Sequence, residues 1–133
     1  MIKPDGAIYV EALNNYEYMH LEWDVYDEII QISSLSSSVT SIIGGIGVCD
    51  KYCAMSIDLE MTTGSNAWET IFTIPAEVRP ATIIRPFIYS NYNKTGYVRD
   101  SNYDVANGNV SMWRSNYDHD KYLHVQASWL LNS

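Results

Sequence analysis

The chain has 133 residues, one domain's worth and long enough to bury a core. With 47% apolar and 18% charged residues it is a globular rather than a disordered composition. Its net charge of −8 argues against a nucleic-acid or anionic-membrane partner, since either needs a basic field.

No apolar run approaches membrane-spanning length and no secretory apolar region opens the chain, so neither a signal peptide nor membrane insertion is expected. Eleven tyrosines and four tryptophans stand against two phenylalanines. Both types pair a large apolar body with a polar handle, which suits strands and contact surfaces.

In chain order, residues 6–10 (GAIYV) read as a strand and 13–15 as a turn. Residues 16–25 (YEYMHLEWDV) alternate, with Met19, Leu21, Trp23 and Val25 on one face. Leu21, Val25, Ile29 and Ile32 also share a helical face, but helix caps are missing and strand is the preferred assignment. The polar stretch 33–41 (SSLSSSVTS) reads as a loop or irregular edge. Ile43-Gly44-Gly45-Ile46-Gly47 reads as a bend, because no Lys-Ser/Thr follows to make a phosphate cradle.

Cys49 and Cys53 would lie roughly 13 Å apart along a strand, beyond the about 4.4–6.8 Å that a disulfide spans. Only a turn or helix between them would permit a bridge. Lacking a histidine pair they also make a poor zinc site, and they are expected to be small core residues.

From Cys53 the alternation is strict. Cys53, Met55, Ile57, Leu59 and Met61 take one face; Ala54, Ser56, Asp58 and Glu60 take the other. The turn formers Thr62 to Asn66 then lead into Trp68-Glu-Thr-Ile-Phe-Thr-Ile74, a strand ended by Pro75. Pro80 restarts extended chain on the far side of a crossing, with Arg79 anchoring it through backbone carbonyls or a carboxylate. Residues 81–90 (ATIIRPFIYS) predict the next strand, with Pro86 marking an edge or bulge.

A turn at 91–96 precedes a short strand at Tyr97-Val98-Arg99. The Asn107-Gly108 pair predicts a tight hairpin that would set Tyr103 and Val105 against Met112 and Val110. The polar loop SNYDHDK follows. In the last strand Leu123, Val125, Ala127 and Trp129 face one way, and Tyr122, His124, Gln126 and Ser128 the other. Eight to ten short strands and no long helix predict an all-β fold: an antiparallel β-sandwich or a small Greek-key or jelly-roll-like barrel.

Trp68, Ile71, Ile74-Pro75 and Arg79-Pro80 form a W-x-x-I-x-x-[LI]-P-x-x-x-R-P pattern. It resembles a signature in C-terminal head or tip domains of phage tail-fibre, baseplate and receptor-binding proteins. The preceding alternating strand, Asn107-Gly108-Asn109-Val110 and the closing Ser128-Trp129 extend the likeness over roughly residues 46–131. The resemblance implies a β head at 46–133; the first third, 1–45, departs from the pattern and fits N-terminal strands or a neck or shoulder segment, with one compact unit expected overall. It also implies a homotrimer in the virion, at a tail tip, fibre or baseplate. There it would contact other tail or baseplate proteins and bind host cell-wall saccharide without catalysis. Two alternatives remain open: a purely structural trimerisation module, and a hydrolase of surface glycan. Within this likeness Trp68 to Pro80 reads as scaffold, away from the binding site.

The densest group of functional side chains is Asp118-His119-Asp120, beside Tyr117 and Lys121. Carboxylates and imidazole can hydrogen-bond sugar hydroxyls while Trp113 or Tyr117 stacks on a sugar face. They can also ligate a metal, although neighbouring residues of extended chain point apart; or the cluster is a solvated loop of turn formers. Arg99, Asp100, Trp113 and Arg114 make a second candidate saccharide contact, with an internal ion pair as the alternative. His20 and His124 lie on polar faces of alternating strands, where surface or structural roles are expected. No G-x-S-x-G, H-E-x-x-H or Cys-His signature occurs, and no pair of carboxylates is proposed for glycoside cleavage. No cofactor, catalytic residue or metal is expected.

Overall fold

A computed structural model of the chain describes residues 26–92 and 95–131. The expected strands at 6–10 and 16–25, the turn at 13–15 and His20 lie outside them. Among the described residues there are nine strands and two single-turn 3-10 helices. The strands are β1 (Glu28–Ile30), β2 (Val39–Cys49), β3 (Tyr52–Met61), β4 (Ala67–Thr73), β5 (Phe87–Tyr92), β6 (Thr95–Arg99), β7 (Ser101–Tyr103), β8 (Asn109–Arg114) and β9 (Tyr122–Leu130). All pairings are antiparallel. The fold is an all-β sandwich of two sheets, ordered β1-β2-β3-β9-β5-β6 and β4-β8-β7.

Period-two patterning builds the core. Cys53, Met55, Ile57, Leu59 and Met61 of β3 are all buried, as are Leu123, Val125 and Trp129 of β9. They meet Ile71, Phe72, Tyr103, Val110 and Met112 of the smaller sheet, with Ile88 of β5 joining from the larger one. The alternating faces read from residues 53–61 and 122–130 are those the structure uses.

The segment between β4 and β5 carries the chain from one sheet to the other. Thr73 ends β4, Pro75 follows, and Ala76–Val78 makes one 3-10 turn. Arg79 anchors the crossing as expected: Nε and Nη2 donate to the Ile74 carbonyl at 3.1 and 2.8 Å. The Trp129 indole N–H donates to the Val78 carbonyl at 2.9 Å, and the Tyr103 hydroxyl to the Pro80 carbonyl at 2.7 Å. The crossing is thus tied to both sheets.

Three expectations are corrected. The Ile43–Gly47 stretch is no bend; it lies inside β2, which pairs unbroken with β3 from Ser41 to Cys49. Gly44 adopts φ +104 there, and a Cβ on it would strike the Ser56 carbonyl, so this strand position requires glycine. The strand expected from residue 81 begins only at Phe87, directly after Pro86, which has no N–H for a ladder. The β7–β8 register also differs by two residues. Tyr103 pairs with Val110 and Ser101 with Met112. The chain turns more widely than a two-residue hairpin, with Asn107 and Gly108 N–H groups both donating to the Asp104 carbonyl. A shift of two keeps every side chain on its face, so the core is unaffected.

A turn does separate the two cysteines, at Asp50-Lys51, yet both are free thiols. Cys53 is fully buried and Cys49 half-buried.

Candidate functional site

β8 sorts the candidate residues to opposite sides of the small sheet. Met112 and Arg114 point inward and are fully buried, whereas Trp113 points out and is 42% exposed. Residues adjacent in sequence must diverge in a strand.

Arg114 and Asp120 belong to one internal network of ion pairs and hydrogen bonds. Arg114 Nη1 donates to Glu69 Oε1 at 3.0 Å. Its Nη2 donates to the Asp120 carbonyl at 3.0 Å and to the Thr62 carbonyl. The Ser36 hydroxyl donates to the other Glu69 oxygen at 2.7 Å. Asp120, fully buried, accepts from the Ser115 N–H and hydroxyl at 2.7 and 2.6 Å and from Arg99 Nε at 2.7 Å. Burial raises the Asp120 carboxyl, but the Ser115 and Arg99 hydrogen bonds and the guanidinium charge outweigh it and hold the group below its ordinary range. Glu69 behaves alike: burial raises it, and Ser36 and Arg114 bring it down further. Gly64 packs against this network, since a Cβ there would sit 2.8 Å from the Arg114 Cβ. These groups knit β4, β6, β8 and the 115–121 loop together.

The outward side chains form a grid. Trp68 of β4, 53% exposed, stands directly opposite Trp113. Such partners place their Cβ atoms about 5 Å apart. Beyond Trp113, by continuation of the β7–β8 register, comes exposed Asp100, whose carbonyl accepts the Trp113 N–H at 3.4 Å. The next row holds Thr70, Ser111 and Asn102, with the Thr70 and Ser111 hydroxyls 3.0 Å apart. Two indoles, a carboxylate, two hydroxyls and an amide therefore share one solvent-facing surface.

Tyr117 and Asp118 are exposed in the adjoining loop, which the Asn116 N–H ties to Asn66 at the start of β4. Asp118 pairs with Lys121 at 3.3 Å. The His119 side chain lies outside the described atoms. Among the described residues no group of three or more His, Cys, Asp or Glu side chains is arranged to hold a metal ion. Of the candidates, then, Trp113 and Asp100 lie on the outer face, and Tyr117 and Asp118 on its neighbouring loop. Arg114, Asp120 and much of Arg99 lie within.

Trp68 falls in the stretch expected to be scaffold. Simple alternation groups it with Phe72 and Ile74, which are core residues. A register shift between Thr70 and Phe72 breaks that phase, so Ile71 and Phe72 are both buried while Trp68 and Thr70 face solvent.

On the far side of the sandwich, the outer face of the large sheet holds an open hollow of about 290 Å³ bordered by Ile43, Asp58, Glu60, Tyr122 and His124. His124 Nδ1 lies 2.9 Å from Asp58 and Nε2 3.0 Å from Gln126. The Asp58 contact raises the imidazole pKa, against a smaller opposing effect of burial. No family model, curated protein or solved structure matches the chain.

Proposed function

We propose that this protein is a non-catalytic saccharide-binding domain that serves host attachment in a phage tail as a homotrimer. The observation that carries the binding is the exposed Trp68–Trp113 pair beside Asp100, Thr70, Ser111 and Asn102. A pyranose has an apolar C–H face and a rim of hydroxyls. Indole rings take the first by excluding water from apolar surface, and hydroxyl, amide and carboxylate groups take the second. Location in the virion, contact with other tail proteins and the cell-wall saccharide ligand rest on the Trp68 to Pro80 resemblance. Modest affinity at each site suffices in a trimer, because three linked sites bind with avidity.

A second reading, a structural tip module, is favoured by the outer face of the large sheet. Ile43, Phe87, Val98 and Leu130 are exposed there, the kind of surface that subunit contacts cover. A host-cell and glycan-array binding assay with wild type, Trp68→Ala and Trp113→Ala separates the two. Attachment that both variants lose, with unfolding midpoints unchanged, supports saccharide binding. No attachment by an intact trimer would leave the structural module, and a monomer at working concentration would count against both.

A further inference from the structure

We infer that the Trp68–Trp113 face takes uncharged saccharides and rejects anionic ones, with the Asp100 carboxylate as a hydroxyl acceptor beside Trp113. This rests on the saccharide reading of the face and names the ligand class within it.

Asp100 is the charged side chain that the strand register places in the grid, and it is an anion. The sequence had put two arginines, Arg99 and Arg114, into this neighbourhood, and an anionic sugar would need them. Arg114 is turned inward, and so is most of Arg99. Arg114 is fully buried on Glu69, and Arg99 Nε is held by Asp120 at 2.7 Å. The remaining described cations are engaged or distant. Lys121 pairs with Asp118, Arg79 donates to the Ile74 carbonyl, and Lys51 sits in the β2–β3 turn of the other sheet. Arg85 reaches the β7 edge, where Nη1 lies 3.5 Å from the Ser101 carbonyl; among the described residues it is the one cation able to contest the assignment.

A chain of net charge −8 adds a repulsive field at longer range. A carboxylate is an acceptor with no proton to give at neutral pH, so it selects hydroxyl donors, and a charged acceptor makes the stronger hydrogen bond. A uronate or sulfate would meet Asp100 as a like charge.

The test is a two-dimensional NMR titration, which reads weak affinities. It uses cellohexaose, maltohexaose and chitohexaose as neutral probes and hexagalacturonate as the anionic one. Wild type, Trp68→Ala, Asp100→Asn and Arg85→Ala are compared over about a tenfold range of salt. At least one neutral probe should bind and shift the Trp68 and Trp113 indole signals, with affinity constant to within about twofold across the salt range. Trp68→Ala should weaken it at least about tenfold and Asp100→Asn about tenfold, with Arg85→Ala unchanged. Hexagalacturonate should not bind. Trp68-dependent binding of hexagalacturonate that falls with salt or with Arg85→Ala would overturn the inference and leave the saccharide reading standing. Neutral binding indifferent to Asp100→Asn would remove Asp100 from its role. Binding of no probe would overturn the saccharide reading itself, and the inference with it.

Discussion

Replacing Asp120 by asparagine changes one atom in a fully buried group that makes three side-chain hydrogen bonds. The carboxylate accepts from the Ser115 N–H and hydroxyl on one oxygen and from Arg99 on the other. An asparagine offers one acceptor and one donor. If its oxygen faces Ser115, its NH2 confronts the Arg99 Nε–H; if it flips, the NH2 confronts the Ser115 N–H. One donor is left facing another in either orientation. Breaking a buried ion pair by removing one partner costs about 3–5 kcal/mol. The Arg99 side chain is 21% exposed and regains some water, which favours the low end, about 3 kcal/mol. That is a large share of a typical domain's stability of about 5–15 kcal/mol. With a urea m-value of about 1–3 kcal/mol/M, the unfolding midpoint should fall by roughly 1–3 M. Arg99→Ala should cost a similar amount, about 3 kcal/mol, because it leaves the fully buried Asp120 carboxylate without its countercharge while both bonds from Ser115 remain. Asp118→Asn is the control: this exposed carboxylate is worth under about 1 kcal/mol in its pair with Lys121. The reasoning fails if Asp120→Asn unfolds within about 0.5 kcal/mol of that control.

Acid should act through the same network. The Asp120 and Glu69 carboxyls are both held below their ordinary values, so their stabilisation is complete above the unfolded carboxyl range, about pH 4, and fades as pH falls through the lower folded values. Melting temperature followed below pH 4 should drop more steeply in wild type than in Asp120→Asn. His124 has the opposite sign: its raised pKa adds stability present below about pH 6.5 and lost as pH rises through the folded value. Asp58 is largely exposed, so the gain is at most a few tenths of a kcal/mol; Asp58→Asn should lower the imidazole pKa in an NMR titration. Gly44→Ala should cost at least about 2 kcal/mol in urea unfolding, from φ +104 and from collision with the Ser56 carbonyl. Arg79→Met should lose about 1–2 kcal/mol, since the Ile74 carbonyl loses both donors. No change in Arg79→Met would mean that the two prolines, the 3-10 turn and the Trp129 and Tyr103 hydrogen bonds hold the crossing without it.

Much of the fold was legible because burial in a strand leaves a period-two record. The core faces of β3 and β9 were read residue by residue, and prolines at 75 and 80 announced a crossing that the structure ties down through Arg79. Composition also hinted at an aromatic contact surface. Glycines misled: three within four positions read as a break in a strand, yet in β2 they allow the backbone geometry and close approach that the sheet requires.

The candidate site was legible as a neighbourhood and not as a surface. The sequence by itself brought Arg99, Asp100, Trp113 and Arg114 together, since a hairpin joins β7 to β8. Which of them meet solvent was decided by partners remote in the chain: Glu69 draws Arg114 inward, and Asp120 holds Arg99. Trp68 reached the outer face only because the ladder shifts by one residue after Thr70, and one residue in a period of two exchanges inside for outside. Local pattern determines how a strand divides its side chains. The pairing of strands across the sheet, and the buried charges that must find partners there, decide which half becomes the surface.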